Sequence, residues 1–89
     1  QGLKVISGFT ELNRLNLEGT PITDAGLEHL LPLKKLEYLN LSKTEISDEG
    51  LKTLAALKKL KELQLSFTQV TDDGVKQFEA AVPGCKVKR

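Results

Sequence analysis

Eighty-nine residues set the size of one small domain, with little room for a large globular core. A formal net charge of +1 gives no global attraction to nucleic acid or to an anionic membrane, and no apolar run is long enough to cross a bilayer. One cysteine, Cys85, excludes an internal disulfide and a multi-cysteine metal site.

The apolar residues recur with a period of 24. Leu12–Lys35 and Leu36–Lys59 are identical at 13 of 24 positions, and Leu60–Pro83 carries the same apolar skeleton. A fixed period in this range decides the architecture before local propensity does. Stacked repeats also remove the size problem, because each unit buries its apolar face on its neighbour.

Residues 1–11 are in register with the end of a repeat: Gly2, Leu3, Ile6 and Phe9 match Gly26, Leu27, Leu30 and Leu33. The expectation there is a short helix, Leu3 to Phe9, belonging to a partial repeat. Two readings of that opening stand: a segment cut from a longer array, or an N-terminal cap that kept only the helix. The first residues lack the basic start and apolar stretch of a secretion signal, and the chain has no Met.

Each full repeat, 12–35, 36–59 and 60–83, opens with Leu-x-x-Leu-x-Leu, whose closing alternation predicts a short strand with one buried face. Thr20, Thr44 and Thr68 follow where the chain turns, each with a hydroxyl able to bond backbone groups left unpaired by the turn. Ile22, Ile46 and Val70 pin that turn to the core. Thr23-Asp24, Ser47-Asp48 and Thr71-Asp72 then predict helix starts, capped by side-chain oxygens and suited to the positive end of the helix dipole.

Gly26, Gly50 and Gly74 recur inside the first helical turn, although Gly is a poor helix former. Close contact between neighbouring repeats, where a Cβ would collide, accounts for them. Leu27, Leu30 and Leu33, repeated as Leu51, Leu54 and Leu57, give the helix an apolar face. In the last repeat Val75, Phe78 and Ala81 take those places, and Pro83-Gly84 ends the helix. Residues 84–89 read as a capping strand with Val87 in register with Leu63. Phe78, Val82 and Cys85 are expected to seal that end.

The block LxxLxLxxT-x-I-[ST]-D-x-G-L-x-x-L, in three registered copies, resembles a leucine-rich repeat over nearly the whole chain. Its tail is similar to that of the cysteine-containing subclass, known from substrate-recognition arms of ubiquitin ligases. Thr20, Thr44 and Thr68 stand where that subclass often has Cys or Asn, and the period is slightly shorter. The match is closer to a Thr-bearing variety common in large bacterial proteins, which argues against a ubiquitin-ligase role. The resemblance implies a right-handed α/β solenoid, with parallel strands on the concave face and helices on the convex face.

If the strand leucines point inward, the residues between them line the concave face. That places Arg14, Asn16 and Glu18 beside Tyr38, Asn40 and Ser42, and beside Glu62, Gln64 and Ser66. Gly19, Lys43 and Phe67 lie just beyond the strands, and Lys86 and Lys88 extend the columns onto the final strand. The amide column Asn16/Asn40/Gln64 reads either as a binding ladder or as amides bonded to one another and to water. Aromatic residues and Arg are the usual anchors of protein interfaces, which singles out Arg14, Tyr38 and Phe67. Phe67 reads equally as a contact residue or as a lid over the neighbouring turn.

Asp24, Asp48 and Asp72 stack on one edge, where carboxylates could hold Ca²⁺ or simply cap helices. Lys34, Lys35, Lys58, Lys59 and Lys61 form the opposing basic edge, read as a solvated turn. No glycine-rich phosphate loop and no zinc-ligand spacing occur, and His29 and Cys85 are separated by about two repeats. The function expected is therefore non-enzymatic and cofactor-free: a module binding an unidentified protein through the concave strand face, without nucleic acid or membrane insertion. Its alternative is a spacer and C-terminal cap of a longer array. Self-association through the N-terminal sheet edge at Leu15 and Leu17 is a further possibility.

Overall fold

In the computed structural model, which describes residues 11–89, every repeat contributes one three-residue strand. The strands are β1 (Arg14–Asn16), β2 (Tyr38–Asn40), β3 (Glu62–Gln64) and β4 (Lys86–Lys88). They form one parallel sheet in the order β1-β2-β3-β4. The register follows the sequence period: Arg14, Tyr38, Glu62 and Lys86 make one row, Asn16, Asn40, Gln64 and Lys88 another. Between those rows Leu15, Leu39, Leu63 and Val87 turn the other way, into the core. The helix expected over Leu3 to Phe9 lies outside the described residues.

Each strand is followed by a turn and a helical segment on the opposite side. The hydroxyls of Thr20, Thr44 and Thr68 donate to the carbonyls of Leu17, Leu41 and Leu65 at 2.7, 2.6 and 2.7 Å. These bonds close the turn that leaves the strand, as expected of the threonine column. The helical segments are a 3-10 helix (Asp24–Leu30), α1 (Asp48–Leu54) and α2 (Asp72–Ala81). The first is tighter than the others: the Leu31 N–H that closes it reaches back only three residues, to the Glu28 carbonyl at 3.2 Å. In the next repeat Ala55 keeps an ordinary helical bond to Leu51 at 3.0 Å.

Leucines of the strands and helices meet in one continuous core, with Leu27, Leu30, Leu33, Leu36, Leu54 and Leu63 wholly buried. Phe78, Val82 and Cys85 seal its C-terminal end, as their positions predict. Burial pushes the Cys85 thiol up to about 11, with the charges of Glu79 and Glu62 adding to it.

The aspartates do not act as the sequence pattern predicts. Thr23 and Ser47 accept no side-chain bond from their own helices; only Thr71 does, from the Gly74 N–H at 3.2 Å. Asp24 and Asp48 instead reach across to the following repeat. Asp24 accepts from the Ser47 N–H at 2.8 Å and the Ser47 hydroxyl at 2.5 Å. Asp48 accepts from the Thr71 N–H at 2.8 Å and the Thr71 hydroxyl at 2.6 Å. A charged acceptor makes a stronger hydrogen bond than a neutral one, which favours these bonds; Thr71 donates to Asp48 while also accepting from Gly74. Both oxygens of each carboxylate are thereby engaged, leaving the helix-capping and Ca²⁺ readings of this column without support.

The recurring glycines make room for this clasp. A Cβ on Gly50 would lie 2.5 Å from Asp24 Oδ1 and 2.7 Å from Leu27 Cδ1. A Cβ on Gly74 would collide with the Asp48 carboxylate.

Beside the last described repeat Arg89 performs both tasks that the next repeat performs for the earlier ones. The N–H groups of Glu45 and Gln69 donate to the carbonyls of Ile22 and Ile46 at 3.1 and 2.9 Å. At Val70 the donor is Arg89 Nη2, at 3.0 Å, while Arg89 Nη1 pairs with Asp72.

Two expectations follow. Gly74→Ala should destabilise the fold by about 1–2 kcal/mol in urea unfolding, despite the roughly 1 kcal/mol better helix propensity of Ala. In an Asp48→Ala background the same change should become neutral or stabilising, since the collision is gone; additive effects in the double-mutant cycle would exclude the clasp as the reason for the glycine. The second concerns pH. The Thr71 hydroxyl and then the Thr71 N–H hold the Asp48 carboxyl below its ordinary value of 3.8. A depressed folded value contributes stability that is present above the unfolded value and lost as pH falls through the folded one. The urea midpoint should therefore drop between about pH 5 and pH 2, and Asp48→Asn should flatten part of that drop. Identical acid profiles for the two proteins would contradict it.

Candidate functional site

Three-residue strands leave only two outward side chains each, so the concave floor is the two rows flanking the central leucines. Arg14, Asn16, Tyr38, Asn40, Glu62 and Gln64 surround one open groove of about 380 Å³, with Leu15 and Leu39 at its base. Six of the ten predicted contact residues are thus brought together. Glu18, Ser42, Lys43 and Phe67 are not part of the groove; they lie beyond the C-terminal ends of the strands.

Arg14 and Tyr38 are neighbours in the sheet, and the guanidinium lies over the phenol ring, 4.2 Å from its centroid. Such stacking holds the guanidinium flat while leaving its N–H edge available for other partners. Glu62, the next residue in that row, is paired with Lys88 at 3.6 Å and accepts from the Gln64 amide at 3.1 Å.

The amide column is neither a free ladder nor a chain of mutually bonded amides. Asn16 Oδ1 accepts from the Glu18 N–H, and Asn40 Oδ1 from the Ser42 N–H, each at 3.0 Å. Each asparagine thus holds the turn two residues ahead of it, as short amide side chains do. Asn40 also donates to Glu18 at 3.2 Å. Gln64, one methylene longer, bonds to Glu62 instead.

Ser42 is a correction to the predicted surface. It is only 5% exposed, and its hydroxyl accepts from the Ser66 N–H at 3.1 Å. The wall between repeats consumes it, and it is withdrawn from the contact set.

Gly19, Lys43 and Phe67 share a backbone property that residue spacing alone does not reveal. Their φ angles are 76°, 60° and 59°, so each repeat turns off its strand through a left-handed residue. Gly19 meets that demand without strain, whereas Lys43 and Phe67 do not. Gly19 in the column was the available signal. Lys43 pairs with Glu18 across the repeat boundary at 3.7 Å. Phe67 covers nothing: its residue is 83% exposed, which removes the reading of it as a lid.

Other candidates have structural partners. On the basic edge Lys35 pairs with Glu11 at 2.6 Å, Lys61 pairs with Glu37 at 3.8 Å, and Lys58 donates to the Ala81 carbonyl at 3.1 Å. Surface pairs of this kind contribute little individually. His29 is half-buried on the 3-10 helix. Among the described residues, no group of His, Cys, Asp and Glu gathers where a metal ion could be held, and no helix is long and apolar enough to cross a membrane.

The fold has clear counterparts among solved structures. An internalin (inlF) from Listeria monocytogenes superposes with a TM-score of 0.80 at 24% identity, over 96% of this chain and 24% of that one. The Mex67:Mtr2 subunits of Chaetomium give a TM-score of 0.80 at 15% identity, over 98% of this chain and 67% of that one. A leucine-rich repeat protein of Leptospira interrogans gives 0.57 at 20% identity, over 97% of this chain and 27% of that one. The chain therefore spans only about a quarter of the internalin and of the Leptospira protein. No curated protein matches it. The leucine-rich repeat family model matches residues 5–70, most of the chain. With its 24-residue period, parallel strand ladder and stacked helical segments, the protein belongs to the leucine-rich repeat family.

Proposed function

We propose that this chain binds a partner protein through its concave groove and the rim at the C-terminal ends of the strands. Membership of a family of protein-interaction modules supports the general class. Phe67 carries the finer reading. The ring is 83% exposed, and its backbone is held at φ 59°. A left-handed conformation costs an L-residue about 1–2 kcal/mol, and an exposed aromatic ring forgoes the gain from burial. The equivalent position in the first repeat is Gly19, which avoids both costs. Among the described residues no contact offsets them, which supports a role for the ring against another molecule. Arg14, Asn16, Tyr38, Asn40, Glu62 and Gln64 supply the groove, with Glu18 and Lys43 beside Phe67 on the rim.

A second reading rests on Arg89. Its bonds to Val70 and Asp72, together with β4, support a role for residues 84–89 as the closing cap of a repeat array whose binding surface lies on other repeats. Pairing of two copies through β1, the outer strand of the described sheet, belongs to the same set of proposals. A light-scattering mass that stays monomeric across a wide concentration range would count against that pairing.

Phe67→Gly separates fold from function. It should leave urea stability unchanged or raise it by up to about 1 kcal/mol, the relief of backbone strain being partly offset by the entropy of Gly in the unfolded chain. A stability loss larger than that would mean the ring packs within the fold after all. Affinity capture from a lysate then compares the wild type with Phe67→Gly and with Arg14→Ala/Tyr38→Ala, all shown to be folded by circular dichroism. A partner held by the wild type and lost by both variants supports the concave reading. Capture unaffected by either variant removes it, and absence of any partner favours the cap.

A further inference from the structure

The charges on the concave floor are not balanced, and the imbalance points to one kind of partner. Both carboxylates of the strand face and rim are already engaged. Glu62 is paired with Lys88 at 3.6 Å, and Glu18 with Lys43 at 3.7 Å. The two cations at the ends of the first row, Arg14 and Lys86, have no carboxylate within ion-pair distance among the described residues. Residues 1–10 contain no Asp or Glu and supply no acidic partner either. Arg14 is also not a loose surface arginine. The Tyr38 ring, its centre 4.2 Å from the guanidinium, restricts the side chain, and the residue stays exposed. A planar, pre-oriented guanidinium is suited to a carboxylate, which it binds through two parallel N–H···O bonds.

We propose that the groove takes an extended acidic peptide segment of the partner, lying across the strands, with one carboxylate on Arg14 and a second on Lys86. This rests on the concave-face reading and adds the chemistry of the ligand to it. Arg14 and Lys86 are three strand spacings apart, about 14 Å at ~4.8 Å each. An extended peptide advances about 3.3 Å per residue, so acidic side chains four residues apart match that span. Glu62 lies between the two cations, and its pairing with Lys88 weakens both its pull on a basic segment and its repulsion of an acidic one. An acidic segment meets two unpaired cations along the same row.

Three nine-residue peptides test this on the full chain by two-dimensional NMR titration. One carries Glu at its third and seventh positions on a Ser/Gly background, one has Gln at both, and one has Lys at both. The acidic peptide should shift the backbone signals of Tyr38, Leu39 and Leu63, and bind at least fivefold more tightly than its Gln counterpart. Arg14→Lys, which keeps the charge but loses the fork, should weaken it severalfold, and Lys86→Gln likewise. Lys34→Gln, a change away from the groove, should leave it unaltered. Equal binding of the Glu and Gln peptides, or equal loss in Lys34→Gln and Lys86→Gln, would overturn the acidic-segment proposal. The concave reading survives that result if the Gln or Lys peptide still shifts the groove signals and Tyr38→Ala abolishes the shift. If none of the peptides moves those signals, the acidic proposal fails, and the lysate capture decides the concave reading independently.

Discussion

A carboxylate in one repeat binding the N–H and hydroxyl of the next is the constraint on which the stack depends. Leucine burial alone would tolerate small slides and rotations between repeats, because hydrophobic contact is not directional. The Asp24–Ser47 and Asp48–Thr71 clasps are directional, and each holds two atoms of the following repeat at once. They also dictate glycine at positions 50 and 74, since any side chain there would occupy the space of the carboxylate. The aspartate of one repeat and the glycine of the next are therefore one device, Asp24 with Gly50 and Asp48 with Gly74, in which the acid supplies the bond and the glycine the room for it.

With the repeats locked in register, the concave surface follows almost without further choice. Parallel pairing places residues 24 apart side by side, which is how Arg14 comes to stack on Tyr38 and why Glu62 and Lys86 share a row. The threonine hydroxyls and the Asn16 and Asn40 amides turn the backbone away immediately after each strand. Much of the polar inventory of the repeat is thus committed to holding the turns. What remains uncommitted is short: the stacked Arg14–Tyr38 pair, Lys86 at the far end of the row, and the Phe67 ring on the rim.

Phe67 and Arg89 depart from the repeat in opposite senses. Arg89 is local repair, supplying to Val70 and Asp72 the kind of donor that the next repeat supplies to Ile46 and Asp48. Phe67 places an aromatic ring in water at a backbone position better served by Gly. A repeat protein has near-identical units to compare, so a residue that weakens its own unit relative to its neighbours is visible without any outside reference. Local rules broken without an internal gain concentrate at functional positions.

Much of this protein was legible in the chain itself. The 24-residue period fixed the solenoid, the strand register, the inward leucines and the C-terminal seal at Phe78, Val82 and Cys85, because periodicity specifies which residues must share a face. It also marked the columns from which the groove is drawn. The partners of polar side chains were not legible, because a hydroxyl or carboxylate has several acceptors or donors within reach and only three-dimensional distance selects among them. Asp24 and Asp48 were expected to serve their own helices and serve the next repeat; Ser42 was expected to face solvent and is buried against Ser66. The 3-10 form of the first helical segment and the strain at Phe67 both needed the backbone geometry. The spacing of residues determined the architecture, while the tertiary structure alone decided which polar groups hold it together and which are left for a partner.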